Sequence, residues 1–248
     1  MVADLPLNGL KVLVTRPQTQ ATVLSDLIAA QGGIAISFPV ITIKKLASAV
    51  QADSKLSDAA MIIFVSRNAV NYFMADLESD LANTIQCVAI GKGTAEAMQE
   101  KGLRVDLQPE NSVGSEGLLA IPELEDVSGK KIVIVRGKGG RELLADTLIA
   151  RGATISYIEV YERCIASPSE EQCGAALLAD TIVCTSVAGV TNLKQLLENK
   201  FETVLIKPLI VLSERIKQHA ISLGFKQVNV SADASDQAIM QRLMEMEK

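Results

Sequence analysis

The chain has 248 residues, of which 48% are hydrophobic and 21% are charged, and its 24 basic and 29 acidic side chains give a net charge of −5. No apolar run reaches the roughly 20 residues of a transmembrane helix, and the N-terminus lacks the basic start and apolar stretch of a signal peptide. A mildly acidic chain without a basic block is a poor nucleic-acid binder, because that binding depends mainly on phosphate neutralisation. The composition therefore predicts a cytoplasmic protein that binds neither membranes nor nucleic acids.

The predicted elements alternate between short apolar strands and helices. In the first half they are strands at 12–14, 34–38, 61–65 and 86–90, and helices that stop at Gly32-Gly33, begin at Asn68 and span 94–101. Continuous apolar strands that alternate with helices of this length are typical of a parallel sheet covered on both faces.

The second half repeats this pattern. Lys11–Arg16 matches Lys131–Arg136, and Met61–Ser66 matches Thr181–Ser186, both at an offset of about 120 residues. A further match, slightly shifted, joins Val88-Ala-Ile-Gly91 to Ile210-Val-Leu-Ser213. Ser115-Glu116 also matches Ser235-Asp236 at an offset of 120. Four such matches in order indicate two copies of one unit, so the sequence predicts two doubly wound α/β domains of similar topology.

The residues that follow the strands are rich in hydroxyls, arginine and glycine. In open α/β sheets ligands bind beyond the carboxyl ends of the strands, and the helix N-termini there favour anions. Single Ser and Thr residues at these positions are also ordinary helix caps, but the recurring arginines favour a cleft for a polyanion. The predicted substrate-binding residues are Arg16, Ser66, Asn68, Gly91, Thr94, Arg136, Gly137, Arg141, Thr185, Ser186, Ser213 and Arg215.

Several other kinds of site are disfavoured. The four cysteines follow neither a zinc pattern nor a dense disulfide framework, and the single histidine, His219, excludes a His-rich metal site. The glycine-rich stretches match neither a phosphate loop nor a dinucleotide fingerprint. We therefore expect reduced thiols, no metal and no nucleotide.

Tyr161 is the candidate for the chemistry. It lies just after the second strand of the second copy, where the first copy has Ile41, so the repeat itself does not require a hydroxyl. A cross-strand aromatic contact is the alternative interpretation. The comparison with Ile41 favours a catalytic function.

In these positions the sequence resembles the uroporphyrinogen-III synthase family. The resemblance runs from about residue 10 to about residue 240, with Ser213-Glu214-Arg215 in place of a glycine-rich turn that many members have. The stretches that carry it are Val14–Pro17, Phe64–Val70, Ala89–Ala95, Val135–Gly137, Val160–Arg163 and Cys184–Ser186.

The resemblance implies a specific organisation. One domain would comprise residues 1–37 plus 168–248 and the other residues 44–160, joined by a two-stranded linker at 38–43 and 161–167. The substrate would bind in a cleft between the two domains. The family's fold also implies a monomer.

The implied reaction closes the linear tetrapyrrole hydroxymethylbilane to uroporphyrinogen III, with inversion of ring D and loss of water. It needs no cofactor, and its main requirement is positioning of the reacting rings. Tyr161 would assist departure of the hydroxyl, and the substrate would arrive by transient hand-over from the enzyme that makes it. Two alternatives remain: a non-catalytic two-domain protein that binds an anionic ligand, and a regulatory module beside a DNA-binding or methyltransferase domain.

Overall fold

A computed structural model describes residues 5–46, 55–75, 81–110, 114–140 and 142–246 of the chain. It divides into two compact units, a first unit of Met1–Thr42 with Cys164–Lys248 and a second unit of Ile43–Arg163. The chain therefore passes between the units twice, once within residues 38–43 and once within residues 161–167.

Strands and helices alternate along the described residues. The strands are β1 Lys11–Val14, β2 Ile34–Ser37, β3 Ile41–Lys45, β4 Met61–Phe64, β5 Gln86–Ala89, β6 Lys131–Gly137, β7 Thr154–Ile165, β8 Thr181–Cys184, β9 Leu209–Val211 and β10 Val228–Val230. The α-helices are α1 Gln18–Ala30, α2 Arg67–Met74, α3 Lys92–Glu100, α4 Gly114–Leu119, α5 Leu143–Ala150, α6 Glu170–Leu177, α7 Val187–Leu197, α8 Glu214–Ser222 and α9 Asp236–Met246, and 3₁₀ turns span Pro122–Leu124 and Glu198–Val204. None of the described helices has the length and apolar character that crossing a bilayer requires.

Each unit contains one sheet. The strand order is β10-β9-β8-β1-β2 in the first sheet and β3-β7-β6-β4-β5 in the second. All neighbours in the first sheet pair in parallel, and so do β7, β6, β4 and β5 in the second. The predicted α/β fold with parallel sheets is confirmed.

The internal repeat is present in the strand register itself. In the first unit Lys11 of β1 faces Ile34 of β2, and in the second unit Lys131 of β6 faces Thr154 of β7, with the repeat's spacing preserved. Even the outer pairing is repeated, because Val88 faces Leu107 and Ile210 faces Asn229. The two sheets therefore share a topology, but each combines strands of both copies, with β1, β2, β8 and β9 in the first sheet and β4, β5, β6 and β7 in the second.

The central strands of the second unit are buried on both faces, which explains their unbroken apolar sequence. Ile62 and Phe64 of β4 point into one core, where helices α2 and α3 pack. Met61 and Ile63 point into another core on the opposite face, where α4 and α5 pack. Alternation along the strands thus supplies two cores from one sheet.

Serine hydroxyls cap three helices that follow strands. Ser66 accepts from the Ala69 N–H, Ser186 from the Gly189 N–H, and Ser213 from the Ile216 N–H. Each cap satisfies one N–H that has no partner within its helix. The caps place the first turns of α2, α7 and α8 directly after the carboxyl ends of β4, β8 and β9.

Candidate active site

A cavity of about 360 Å³ lies in the second unit, beyond the carboxyl ends of its strands. Its size falls at the lower end of the range typical of ligand pockets. Its lining residues are Val65, Ile90, Gly114, Ser115, Ile134, Arg136, Gly137, Gly139, Gly140, Leu144, Ala145, Tyr157, Tyr161 and Arg163. The floor is apolar, whereas the polar groups come from β6, β7 and the loop after β6.

Tyr161 lies in the wall of this cavity and not in an open linker. It belongs to β7, its side chain is only 2% exposed, and its ring packs 5.9 Å from that of Tyr72. Its hydroxyl lies 3.1 Å from Ser66 Oγ and accepts a hydrogen bond of 3.3 Å from the Arg163 guanidinium. The hydroxyl is therefore held in place by two polar neighbours.

Gly137 makes room for this tyrosine. A β-carbon at position 137 would lie 2.4 Å from Cε2 and 2.6 Å from Cζ of Tyr161, far inside van der Waals contact. The register shifts at this point, with Arg136 facing Glu159 and Gly137 facing Tyr161. The irregular pairing and the missing side chain together let the ring lie against the backbone of β6.

Arg136 forms a polar cluster at the cavity wall with three side chains from β7 and the loop before α5. Its guanidinium donates to Glu142 at 2.8 Å and to Glu159 at 3.3 Å, and it stacks 3.7 Å from the centre of the Tyr157 ring. Its side chain is 13% exposed, and its Nε is buried without a hydrogen-bond partner in the described part of the chain. The arginine is thus rigidly held and retains one unused donor.

Hydrogen bonds and burial within this cluster shift the pKa values of Glu142 and Tyr157. Hydrogen bonds from Tyr157 and Arg136 lower the pKa of the Glu142 carboxyl below its ordinary value. Burial and the hydrogen bond that its hydroxyl donates to Glu142, 2.5 Å long, raise the pKa of Tyr157 to about 12. At neutral pH Glu142 is a carboxylate and Tyr157 a neutral phenol, so the cluster keeps its hydrogen bonds.

Glu159 also holds the loop after β6. The Gly139 N–H donates to its carboxylate at 3.3 Å, beside the contact with Arg136. Gly139 and Gly140 have φ values of +70° and +136°, which an L side chain rarely adopts. Gly139 and Gly140 therefore allow the backbone conformation that this loop adopts beside the cavity.

The structure brings together only some of the predicted site residues. Arg136, Gly137 and Tyr161 line the cavity, and Ser66 reaches it through the Tyr161 hydroxyl. Three predicted residues of the same unit follow β4 or β5 without belonging to the cavity lining, namely Asn68, Gly91 and Thr94. Arg141 lies outside the described residues.

The predicted residues of the first unit follow β1, β8 and β9. Arg16 pairs with Asp236 in the first turn of α9, with 12% and 18% of the two side chains exposed. Thr185 and Ser186 follow β8, and Ser186 is occupied as a cap. Ser213 caps α8 with a 3.4 Å contact, and Arg215, in the first turn of that helix, is exposed.

Sequence reasoning missed Arg163, Tyr157 and Ser115 as cavity residues. The first two share a signal, since Tyr157, Glu159, Tyr161 and Arg163 recur at every second position of one strand. Strict alternation would place these side chains on one face, but the register shift at Gly137 interrupts it, so that Tyr157 packs against the core with α4 and α5 and Tyr161 belongs to the core with α2 and α3. Ser115 begins a helix of another segment and carries no comparable local signal.

No group of three or more metal-ligating side chains is clustered within the described ranges. The arrangement instead offers the Tyr161 hydroxyl beside the Arg163 guanidinium, with the Arg136 side chain elsewhere in the same cavity lining. Guanidinium groups bind carboxylates, and a phenol donates a hydrogen bond or a proton. The cavity is therefore suited to proton transfer onto an anionic ligand.

Comparisons with known proteins give one consistent result. The family model described as uroporphyrinogen-III synthase HemD matches residues 22–241. The uroporphyrinogen-III synthase of Salmonella typhimurium strain LT2 is 31% identical over 246 residues, covering 94% of this chain and 100% of that protein. That of Escherichia coli K12 is 30% identical over 245 residues, again covering 94% and 100%.

Solved structures show the same fold. The uroporphyrinogen-III synthetase of Helicobacter pylori 26695 matches with a TM-score of 0.69 at 15% identity, covering 96% of this chain and 99% of that one. A mutant uroporphyrinogen III synthase of the extremely thermophilic bacterium Thermus thermophilus matches with a TM-score of 0.60 at 17% identity, covering 96% and 100%.

Proposed function

The chain belongs to the uroporphyrinogen-III synthase family, and from that premise we propose that it closes hydroxymethylbilane to uroporphyrinogen III, with inversion of ring D and loss of water. The reaction is that of a cyclising hydro-lyase. An electron-rich pyrrole loses its hydroxyl readily, so the protein's main contribution is to position the rings for the correct closure.

One observation carries the assignment of the chemistry to the second unit. The hydroxyl of Tyr161 and the guanidinium groups of Arg136 and Arg163 converge on one cavity at the carboxyl ends of parallel strands. A polycarboxylate substrate needs cationic donors, and the Arg136 and Arg163 side chains both line this cavity. The apolar floor suits a pyrrole ring.

Tyr161 supplies the proton for departure of the hydroxyl. The carbon–oxygen bond breaks with its electron pair on oxygen, the phenol proton moves to that oxygen, and water leaves. The substrate becomes an azafulvene cation, and the phenolate is balanced by the Arg163 guanidinium. The substituted carbon of ring D then attacks this cation to give a spiro intermediate, the bond from that carbon to the methylene bridge of ring C breaks, and the bridge rejoins ring D at its unsubstituted carbon. The proton that this carbon loses returns to the phenolate.

Three further features are proposed for the protein in the cell. It acts in the cytoplasm, which is supported by four free cysteines, since free thiols are typical of reducing compartments. It acts as a monomer. It receives its substrate by hand-over, because free hydroxymethylbilane closes spontaneously to the unflipped isomer.

The isomer composition of the product tests the function. The protein is incubated with freshly generated hydroxymethylbilane, and the oxidised porphyrins are separated into type I and type III. We expect type III to dominate, while an enzyme-free control gives type I. If the protein leaves the control ratio unchanged, it is not a synthase, and saturable binding of the linear tetrapyrrole would then favour a non-catalytic binding protein.

A further inference from the structure

Two donors lie close to the oxygen of Tyr161. The guanidinium Nη2 of Arg163 is 3.3 Å away, and its cationic carbon lies 5.4 Å from the centre of the tyrosine ring. Ser66 Oγ is 3.1 Å away on a different element, the turn between β4 and α2. Arg163 only donates hydrogen bonds, whereas the serine and the tyrosine each donate or accept.

The helix cap limits what Ser66 does with its own proton. The Ala69 N–H donates to Ser66 Oγ at 3.0 Å, which uses a lone pair of that oxygen and leaves its O–H free to donate. When this O–H points to Tyr161, the tyrosine oxygen accepts from both Ser66 and Arg163. Neither Ser66 nor Arg163 then accepts the phenol proton of Tyr161, so this proton is free to point into the cavity.

We propose that Ser66 is a positioning residue that donates its hydroxyl proton to the Tyr161 oxygen and thereby directs the phenol proton towards the substrate. The proposal rests on the proposed function, because it presupposes Tyr161 as the proton donor. When that proton moves to the leaving hydroxyl, the Ser66 O–H and the Arg163 guanidinium stabilise the resulting phenolate. The same two contacts hold the oxygen in place until the proton lost from ring D returns.

Helix capping alone does not account for this contact. Ser186, the repeat counterpart of Ser66, caps α7 with a bond of 2.9 Å, yet the residue at the position equivalent to Tyr161 is Ile41. Ser169 likewise caps the eight-residue helix α6. Capping explains a hydroxyl at each of these places, whereas a tyrosine oxygen within hydrogen-bond distance occurs only at Ser66 among these three caps.

Substitutions at Ser66 separate capping from proton direction. Ser66→Ala removes both functions, and Ser66→Thr keeps both. Ser66→Asp keeps a good cap but replaces the donor by an acceptor, so it captures the Tyr161 proton. Ser169→Ala is the matched control, because it removes the cap of another eight-residue helix that lies away from the cavity lining.

We expect Ser66→Ala to lower kcat about tenfold, the loss that corresponds to one hydrogen bond of this kind, with KM unchanged and type III still formed. Ser66→Asp lowers kcat at least as much although its unfolding temperature stays close to that of the wild type. Ser66→Thr stays within about threefold of the wild-type kcat. Ser169→Ala lowers the unfolding temperature as Ser66→Ala does but keeps wild-type kinetics.

A double-mutant cycle with Tyr161→Phe decides whether Ser66 acts through the Tyr161 hydroxyl or only caps α2. If Ser66 acts through the tyrosine hydroxyl, Ser66→Ala has almost no further effect on kcat once that hydroxyl is absent. An equal fold-loss in both backgrounds would overturn the proposal and reduce Ser66 to a cap, and a raised KM with unchanged kcat would make it a substrate contact instead. Failure of the proposed function looks different, because the wild type itself would then make no type III isomer.

Discussion

The two units have the same sheet topology but different side chains at the carboxyl ends of their strands. In the first copy of the repeat, Pro17, Ile41 and Ile43 occupy the positions that Gly137, Tyr161 and Arg163 occupy in the second copy. The capping serines are shared, and so is the arginine at the end of the first strand of each copy. The repeated architecture thus needs the serine and the arginine, whereas the phenol, the glycine beneath it and the second guanidinium are additions confined to one copy.

Gly137→Ala disturbs this difference most broadly, because it is expected to lower both activity and stability. The added methyl group would overlap the ring of Tyr161, so the ring is displaced from Ser66 and kcat falls on the order of 100-fold, as for loss of a general acid. Overpacking also lowers the free energy of unfolding by about 1–3 kcal/mol. Both quantities are obtained from steady-state kinetics and denaturant unfolding.

Pro17→Ala is the matched change in the first unit, and its kcat should stay near that of the wild type. Gly137→Ala should cost much less stability in a Tyr161→Ala background than in the wild type, because the clash is then absent. If Gly137→Ala kept the wild-type kcat, the position of the Tyr161 ring against β6 would be unimportant for catalysis.

Substitution of Arg136 should weaken substrate binding, whereas substitution of the equivalent Arg16 should mainly lower stability. Arg136 lines the cavity, so Arg136→Gln removes a charged hydrogen bond worth about 1.5–3 kcal/mol and raises KM by about tenfold or more. Arg16 is held by Asp236, so we expect Arg16→Gln to lower stability with little change in KM. KM values and unfolding midpoints of the two variants test this, and an equal rise in KM would mean that both copies bind carboxylates.

A smaller, pH-dependent effect is expected from Tyr157→Phe. The Tyr157 hydroxyl lowers the pKa of Glu142, and a carboxyl with a lowered pKa stabilises the fold above its unfolded pKa and loses that contribution as the pH falls through the folded value. The variant should therefore be less stable than the wild type at pH 7, and the difference should shrink below about pH 4. Denaturant midpoints between pH 3 and pH 7 measure it.

Tyr72→Phe controls for loss of a phenol hydroxyl, because Tyr72 donates to the Ile43 carbonyl and not to a carboxylate. Its deficit should not depend on pH in this range. A deficit of Tyr157→Phe that also stays constant would mean that Glu142 does not mediate the effect. In the first unit Thr22 and Ser37 stand at the equivalent positions, so no such dependence is expected there.

Much of the fold could be predicted from the sequence, because its apolar runs and its internal repeat recur at regular intervals. The unbroken apolar runs of β4 and β6 indicate strands buried on both faces, and the repeat indicates two sheets of similar topology. The predicted starts of α2 at Asn68 and α3 at Thr94 were one and two residues late, because Ser66 and Gly91 are the caps. Elements set by local sequence were thus predictable.

The site was less predictable because its contacts join distant segments. Tyr161 was identified from the missing hydroxyl at Ile41, but its burial and its contact with Ser66 depend on the shifted register at Gly137. The cluster around Arg136 depends on Glu142, which no periodic signal links to Tyr157. A functional residue at a strand end can be predicted from the sequence, whereas its contact partners on other elements of the sheet cannot.

The kinetics of Tyr161→Phe test most directly whether the phenol of the second unit carries the chemistry. The change keeps the ring against Gly137 and removes only the hydroxyl that contacts Ser66 and Arg163. A general acid contributes about 10²–10⁴ in rate, so kcat should fall by that factor while the remaining product is still mainly type III. Tyr72→Phe, measured in parallel, should stay within about twofold of wild type. A folded Tyr161→Phe protein with wild-type kcat would contradict the account and leave the cavity as a positioning site without a dedicated acid.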